Sequence, residues 1–210
     1  MSLRTAVADF RTWAENVPAS QRSGEWECHY ERWHELYAET EAFIEESEHE
    51  DWSPADKRDL LYVLARDNED GIIADALRRR PEMLVAAARD ALSAASSDEG
   101  DFDARWQLAA MLGELGVLTS EIEALLLRFV ADEHEYVRRH ALLALASIGS
   151  RKTERHAVAA WDSGEIGQLI AALAALHQVG SALLQRYLDL AFEDGTPPLV
   201  TAAFNVMARV

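Results

Sequence analysis

The chain has 210 residues, of which 49% are hydrophobic and 27% are charged, proportions typical of a folded globular protein and not of a disordered one. Its formal net charge of −17 argues against nucleic acids and anionic membranes as partners, because both would repel so acidic a surface, but it is compatible with a basic protein partner. The single cysteine, Cys28, excludes an internal disulfide and a cysteine-based zinc site, and it favours a reducing, cytoplasmic location.

Residues 1–52 form the first predicted element, a pair of helices that does not resemble the rest of the chain. One helix is predicted up to Pro18, with an apolar stripe at Leu3, Val7, Phe10, Trp13 or Ala14, and Val17. A longer one is predicted from about Glu25 to Glu48, where six residues recur at spacings of three and four: Trp26, Tyr30, Trp33, Tyr37, Thr40 and Ile44. We expect this helical hairpin to cap the end of the repeats that follow it.

The longer N-terminal helix is strongly acidic. Between residues 20 and 51 there are eleven acidic and two basic side chains, so this stretch carries nine of the seventeen net negative charges. The simplest interpretation is a solvated helix face whose aromatic residues pack inward. The alternative is an inhibitor or immunity-type surface that neutralises a basic toxin or nuclease, with candidate contacts at Trp26, Trp33, Glu45, Glu46 and Glu48.

Helical hairpins are predicted from residue 53 to the end of the chain. The first begins with a capping serine, a proline in the first turn and an acid three residues after the serine, at Ser53, Pro54 and Asp56. Five two-helix units are predicted, with limits at about 53–80, 81–116, 119–149, 150–180 and 181–210.

The later units repeat one another. The segments 104–116, 137–149, 168–180 and 199–210 align at shifts of 33, 31 and 31 residues, and the first three end in a glycine suited to a helix C-terminus. Leu142, Leu145 and Ile148 form an apolar stripe in one of them, and small residues flank it. A helix that is apolar over so broad an arc must be covered on more than one side, as in a stack.

The segment from Asp132 to Gly149 resembles the HEAT-repeat family. In that family an aspartate lies in the turn between the two helices and a Val-Arg pair opens the second helix, as Asp132 and Val137-Arg138 do here. Glu99 and Arg105 stand at the equivalent places one unit earlier, whereas later units lack the Val-Arg pair. The resemblance covers residues 53–210 and implies an all-α fold, a right-handed α-solenoid of about five hairpins with the N-terminal helices as a cap.

In HEAT solenoids the second helices line a concave groove where partners bind. The resemblance therefore implies a non-catalytic protein–protein interaction scaffold, and it leaves the oligomeric state open. The groove candidates are Arg105, Trp106, Arg138, Arg139, His140 and His177. A structural alternative pairs Arg138 with Asp132 and Arg105 with Glu99 as ladders between repeats.

No catalytic residue, metal site or cofactor is predicted. Two Glu-x-x-His strings, Glu31 to His34 and Glu46 to His49, have the spacing of carboxylate-bridged metal sites, but they lie on one predicted helix, roughly 22 Å apart. Some HEAT-like proteins are enzymes, among them DNA glycosylases and bilin lyases. The negative charge disfavours the first activity, and no residue pattern favours the second. No apolar stretch reaches the length of a membrane span.

Overall fold

A computed structural model describes residues 2–18, 29–67, 70–93 and 101–208. Throughout these ranges the regular structure is helical, with twelve α-helices and one short 3-10 helix, and no residue in them belongs to a β-strand. The prediction of an all-α protein is confirmed. The chain divides into two compact units, Met1–Leu108 and Ala109–Val210.

The first unit is built from five complete helices: α1 (Leu3–Glu15), α2 (Trp33–Glu46), α3 (Pro54–Leu64), α4 (Ile72–Arg79) and α5 (Pro81–Ala91). The 3-10 helix, His49–Asp51, lies between α2 and α3, and α6 (Asp101–Glu114) crosses the boundary of the two units. Helix α1 packs against α2 and α3, α2 packs against α4, and α3 and α4 both contact α5.

The start of this unit follows the predicted pattern. Leu3, Val7, Phe10 and Ala14 are buried along one face of α1, whereas Trp13 is half-buried. The N-terminus of α3 is a capping box, in which Ser53 Oγ accepts a hydrogen bond from the Asp56 N–H and Asp56 Oδ2 accepts one from the Ser53 N–H. Helix α3 therefore begins where its sequence predicts.

The prediction of a helix from about Glu25 was wrong at its start. Residues 25–28 lie outside the described ranges, residues 29–32 are irregular or in a turn, and α2 begins only at Trp33. Contacts with α1 hold this segment out of the helix. The ring centroid of Tyr30 lies 4.9 Å from that of Phe10, and the Arg32 guanidinium donates to Asp9 Oδ2 at 2.7 Å.

The second unit contains three consecutive helix pairs: α7 (Ser120–Phe129) with α8 (Glu135–Ser147), α9 (Thr153–Asp162) with α10 (Ile166–Gln178), and α11 (Leu184–Asp194) with α12 (Pro197–Met207). The two helices of each pair contact each other. The second helices also contact in order, α8 against α10 and α10 against α12. Each pair is therefore covered by the next pair along the chain.

The 31-residue spacing of the sequence recurs in the turns of this unit. Before each second helix a polar side chain accepts the N–H two residues later: Asp132 from His134 at 2.9 Å, Ser163 from Glu165 at 3.3 Å and Asp194 from Thr196 at 3.0 Å. These bonds fix the entry of the backbone into the second helix.

The connection between pairs repeats as well. Gly149 and Gly180 have φ values of +70° and +63°, which glycine adopts without strain, and the serine after each donates its N–H five residues back, as in a Schellman motif. The same serines join successive pairs. Ser150 Oγ donates to Glu123 and Ser181 Oγ donates to Glu154, both at 2.6 Å.

Candidate protein-binding groove

A groove with a volume of about 560 Å³ lies in the second unit. Its lining comes from second helices: Ala110, Gly113 and Glu114 from α6, His140, Leu143, Ala144 and Ser147 from α8, Ala174, His177 and Gln178 from α10, and Val206 from α12. The floor is made of small and apolar side chains. The polar groups stand among them, an arrangement typical of sites that bind a segment of another molecule.

Small residues bring two of the lining helices close together. A Cβ atom placed on Gly113 would lie 2.6 Å from the Cα and 2.7 Å from the Cβ of Ala144. Helix α6 can approach α8 this closely only because residue 113 has no side chain.

His140 is the most perturbed polar group of the lining. Its ring centroid lies 4.7 Å from that of Tyr136, one turn earlier on α8. Burial, together with the nearby charge of Arg139, lowers the pKa of His140 to about 4. The imidazole is therefore neutral at neutral pH, with one nitrogen able to donate a hydrogen bond and the other able to accept one.

The structure places two of the predicted groove residues, His140 and His177, in the lining of this groove. They come from α8 and α10, successive second helices that pack against each other. Their imidazoles share the groove with the carboxylate of Glu114 and the amide of Gln178. The groove therefore offers both hydrogen-bond donors and acceptors around an apolar floor.

Arg138 is not a lining residue, and it bonds to oxygen atoms of the turn before α8 and of the next helix pair. Its guanidinium donates to the main-chain oxygens of Asp132 (3.1 Å) and Glu133 (2.8 Å), and to both carboxylate oxygens of Glu165, at 2.8 and 2.6 Å. Arg138 thus contacts Asp132 through the Asp132 carbonyl, and Oδ1 of Asp132 accepts the His134 N–H. The fork-shaped contact links one helix pair to the next.

Arg139 lies beside two residues of its own helix. Its guanidinium carbon lies 4.5 Å from the centroid of the Tyr136 ring, and its Nε is 3.6 Å from Glu135 Oε1. Arg139 is not a lining residue, but its positive charge contributes to the lowered pKa of His140, which is one.

Arg105 and Trp106 belong to the first compact unit. Arg105 is buried, and Trp106 is half-buried with its Nε1 donating to Asp103 Oδ1 at 3.2 Å. The next residue, Gln107, donates to the Leu64 carbonyl at 2.7 Å and so fixes α6 against the end of α3. Glu99, the expected partner of Arg105, lies outside the described ranges.

The candidate residues of the acidic N-terminal helix contact other residues of the first unit. The Trp33 ring centroid lies 5.0 Å from those of Phe10 and Tyr37. Arg79 donates to Glu45 at 3.2 Å and Arg80 donates to Glu48 at the same distance.

Other residues of the first unit therefore pair with two of the acidic candidates, Glu45 and Glu48, and pack against the ring of Trp33. Glu46 is exposed, and Trp26 lies outside the described residues. Trp33 is half-buried, and the inhibitory surface stays a hypothesis.

The two Glu-x-x-His strings make different contacts. His49 Nε2 lies 2.8 Å from Asp90 Oδ2, and Lys57 Nζ donates to the other oxygen of Asp90 at 3.2 Å. His34 Nε2 lies 3.8 Å from Glu35 Oε1 on the surface. In the described part of the chain, no three His, Cys, Asp or Glu side chains are grouped so that they could hold a metal ion.

Several lining residues were not predicted from the sequence, although the repeat contains them. Two sets of equivalent positions, spaced by 33 and 31 residues, line the groove: Glu114, Ser147 and Gln178 form one, and Ala110, Leu143 and Ala174 form the other. These residues could have been identified by choosing equivalent positions of the aligned second helices as candidates, and not only charged and aromatic residues.

A scan against protein-family models finds no match to this chain, and a search of curated proteins finds no significant match. Among the helices in the described ranges, none combines the length and apolar character that crossing a membrane requires.

Proposed function

We propose that the protein is a non-catalytic interaction scaffold that binds a segment of a protein partner in the groove of the second unit. In this proposal the chain is a HEAT-like, right-handed α-solenoid of about five hairpins with an N-terminal helical cap. The 31-residue recurrence of turns, glycine caps and serine–glutamate bonds supports that architecture.

One observation carries the function: equivalent positions of successive second helices line a single groove. A binding surface built by repetition accepts an extended or helical segment that follows the direction of the stack. The Ala and Leu floor supplies apolar contact. Gln178 and His177 supply hydrogen bonds that fix the register of the bound segment.

The charge of the protein favours a partner segment that carries a cation. At neutral pH the imidazole of His140 is uncharged, because its pKa is lowered to about 4. The protein's net charge of −17 then favours a partner segment that carries lysine or arginine.

The test places a large side chain in the groove. Ser147 is an exposed lining residue, so S147R fills the groove without disturbing the core. The matched control is A159R, which puts the same side chain on an exposed position of α9 outside the lining. Partners are captured from a lysate of the native host, identified, purified and measured by calorimetry.

We expect a purified partner to bind the wild type and A159R equally well and to bind S147R at least about tenfold more weakly, as a displaced central contact would. Equal binding by all three proteins would place the partner elsewhere. If no purified partner binds the wild type, the scaffold proposal is wrong.

A further inference from the structure

The guanidinium of Arg139 lies beside the groove. Its carbon is 4.5 Å from the centroid of the Tyr136 ring, and that ring is 4.7 Å from the ring of His140, which lines the groove. The charge of Arg139 is one cause of the lowered pKa of His140, so the electrostatic field of the guanidinium reaches the groove. Tyr136 therefore holds a cationic group next to a lining histidine.

Arg139 uses few of its hydrogen-bond donors inside the protein, although a guanidinium has five N–H groups. Its ion pair with Glu135 joins Nε to Oε1 at 3.6 Å, which is too long for a hydrogen bond. Nε is a buried atom, and neither it nor the two Nη atoms donates a hydrogen bond to any residue that the structure describes. A half-buried cation with unused donors is costly unless a ligand pairs with it.

The carboxylate of Glu135 is held by α10 and not by Arg139. Its Oε1 accepts a hydrogen bond from Gln168 Nε2 at 3.1 Å, and the same nitrogen donates to the Glu135 carbonyl. Gly167 leaves room for this carboxylate, because a side chain at 167 would clash with Oε1. Glu135 therefore offsets part of the charge of Arg139 without occupying its N–H groups.

The stack of helix pairs does not need a cation at this position. In α10 the equivalent residue, 31 positions later, is Ile170, which is half-buried and packs against the apolar core. The neighbouring Arg138 differs from Arg139, because it donates to Glu165 and to two carbonyls of the turn before α8. Arg138 therefore has a structural role that Arg139 lacks.

We propose that Arg139 binds a carboxylate of the partner segment and thereby sets which residue of that segment lies beside His140. This inference rests on the proposed function, since it requires a segment in the groove. A planar guanidinium presents paired N–H groups that match the two oxygens of a carboxylate. That carboxylate belongs either to an Asp or Glu side chain or to the C-terminus of the segment.

A carboxylate in the segment is compatible with a partner that is basic overall. The net charge of −17 attracts a basic partner at long range and raises its rate of association. A short, two-point contact acts only after docking, and it discriminates between possible registers of the bound segment. The long-range attraction and the local contact therefore contribute to different steps of binding.

The probe is a library of random synthetic peptides with free C-termini, selected separately on the wild type and on R139Q. Peptides selected on the wild type should share an acidic residue or their C-terminus at a fixed distance from an apolar residue. Those selected on R139Q should lack this feature. R151Q is the control, because it removes the same charge at an exposed position before α9 and should select the same peptides as the wild type.

Calorimetry on a selected peptide then identifies the carboxylate. Replacing the acid by its amide, or amidating the C-terminus, should raise the Kd for the wild type at least about tenfold for the correct source. R139Q should bind the original peptide equally weakly and should not distinguish it from the amide. R139K keeps the charge without the fork and should recover only part of the affinity. A merely structural Arg139 would weaken both peptides equally.

The groove variant S147R distinguishes failure of this inference from failure of the proposed function. If S147R abolishes binding but R139Q keeps full affinity, or if the selected peptides share no carboxylate, the role of Arg139 is wrong and the proposed function stands. If the selected peptides bind S147R as tightly as the wild type, they do not occupy the groove, and both are wrong. A library that yields no binder counts against both.

Discussion

A single missing side chain sets the distance between two helices of the groove. Replacing Gly113 by alanine puts a Cβ 2.6 Å from the backbone of Ala144, which cannot rotate away as a side chain could. Overpacking of this kind costs about 1–3 kcal/mol, more than the roughly 1 kcal/mol that alanine gains over glycine in helix propensity. We therefore expect G113A to lower the free energy of unfolding on the order of 1 kcal/mol.

Another helical glycine provides the control. The Cβ of G167A would meet only the carboxylate end of Glu135, which is flexible. G167A keeps the helix-propensity gain of alanine, so it should be at least as stable as the wild type in urea unfolding. Equal losses for the two variants would show that the α6–α8 crossing is no tighter than an ordinary helix contact.

Asp67 is a buried carboxyl at the start of α4. Its Oδ2 accepts the Ile73 N–H at 2.7 Å and its Oδ1 accepts the Tyr37 hydroxyl at 2.9 Å. Burial is the largest cause that raises the pKa of Asp67 above its ordinary value of 3.8. A raised folded-state pKa means that this group contributes most to stability below that ordinary value, and that the contribution is lost as the pH rises through the folded pKa.

The variant D67N is neutral at every pH, so it does not lose this contribution. Urea unfolding from about pH 4 to pH 7 should show D67N gaining stability relative to the wild type as the pH rises. Asp56 gives the opposite control, because hydrogen bonds from Ser53 lower its pKa. D56N should therefore be less stable than the wild type by a nearly constant amount over this range, and the difference should shrink only below about pH 4. A difference between D67N and the wild type that does not change with pH would contradict the buried-charge argument.

The serines that follow Gly149 and Gly180 link successive helix pairs, but not with equal burial. Ser150 is buried and donates to Glu123, whereas Ser181 is half-exposed and donates to Glu154. Removing the hydroxyl at 150 takes a donor from a part-buried contact, which water reaches less easily than the exposed contact at 181.

We expect S150A to lower the melting temperature by several degrees and S181A to lower it less, as measured by calorimetry. The pKa of Glu123 is lowered by Lys152 first and by Ser150 second, so this link is present above the ordinary pKa of a glutamate and is lost as the pH falls through the lowered value. The difference between S150A and the wild type should therefore shrink in acid. A larger loss in S181A would be inconsistent with the link depending on burial.

The elements that could be predicted from the sequence are those fixed by local chemistry. The capping serine, the proline and the acid at Ser53, Pro54 and Asp56 start α3 as predicted. The residues before Trp33 could not be predicted, since their aromatic spacing continues the helical pattern. Distant contacts with Asp9 and Phe10 hold them in another conformation.

Part of the candidate site could also be predicted from the sequence. The histidines at 140 and 177 were predicted because they lie on aligned second helices, and the groove contains both. Arg138 is predicted either to line the groove or to pair with Asp132, and it bonds to Glu165 and to the carbonyls of Asp132 and Glu133. An arginine at a helix start serves either a ligand or the backbone, and only the position of its acceptors decides which.

At the scale of the whole molecule, negative charges outnumber positive ones, whichever side chains form ion pairs. Local pairs exist, such as Arg79 with Glu41 and Arg138 with Glu165. Even if each of the 20 Lys and Arg side chains met one of the 37 acids, 17 acids would have no cation. Folding brings these charges closer together, so at neutral pH self-repulsion opposes the compact state.

Salt should therefore stabilise this protein, although it weakens individual surface ion pairs. Raising NaCl from about 0.01 M to about 0.15 M shortens the screening length from about 30 Å to about 8 Å, which removes most long-range repulsion and leaves short contacts less affected. We expect the melting temperature at pH 7 to rise over that range. Near pH 4.7, where the net charge vanishes, the same addition should have little effect or lower it slightly. A melting temperature that falls with salt at pH 7 would mean that the pairs within each unit outweigh the excess of 17 negative charges.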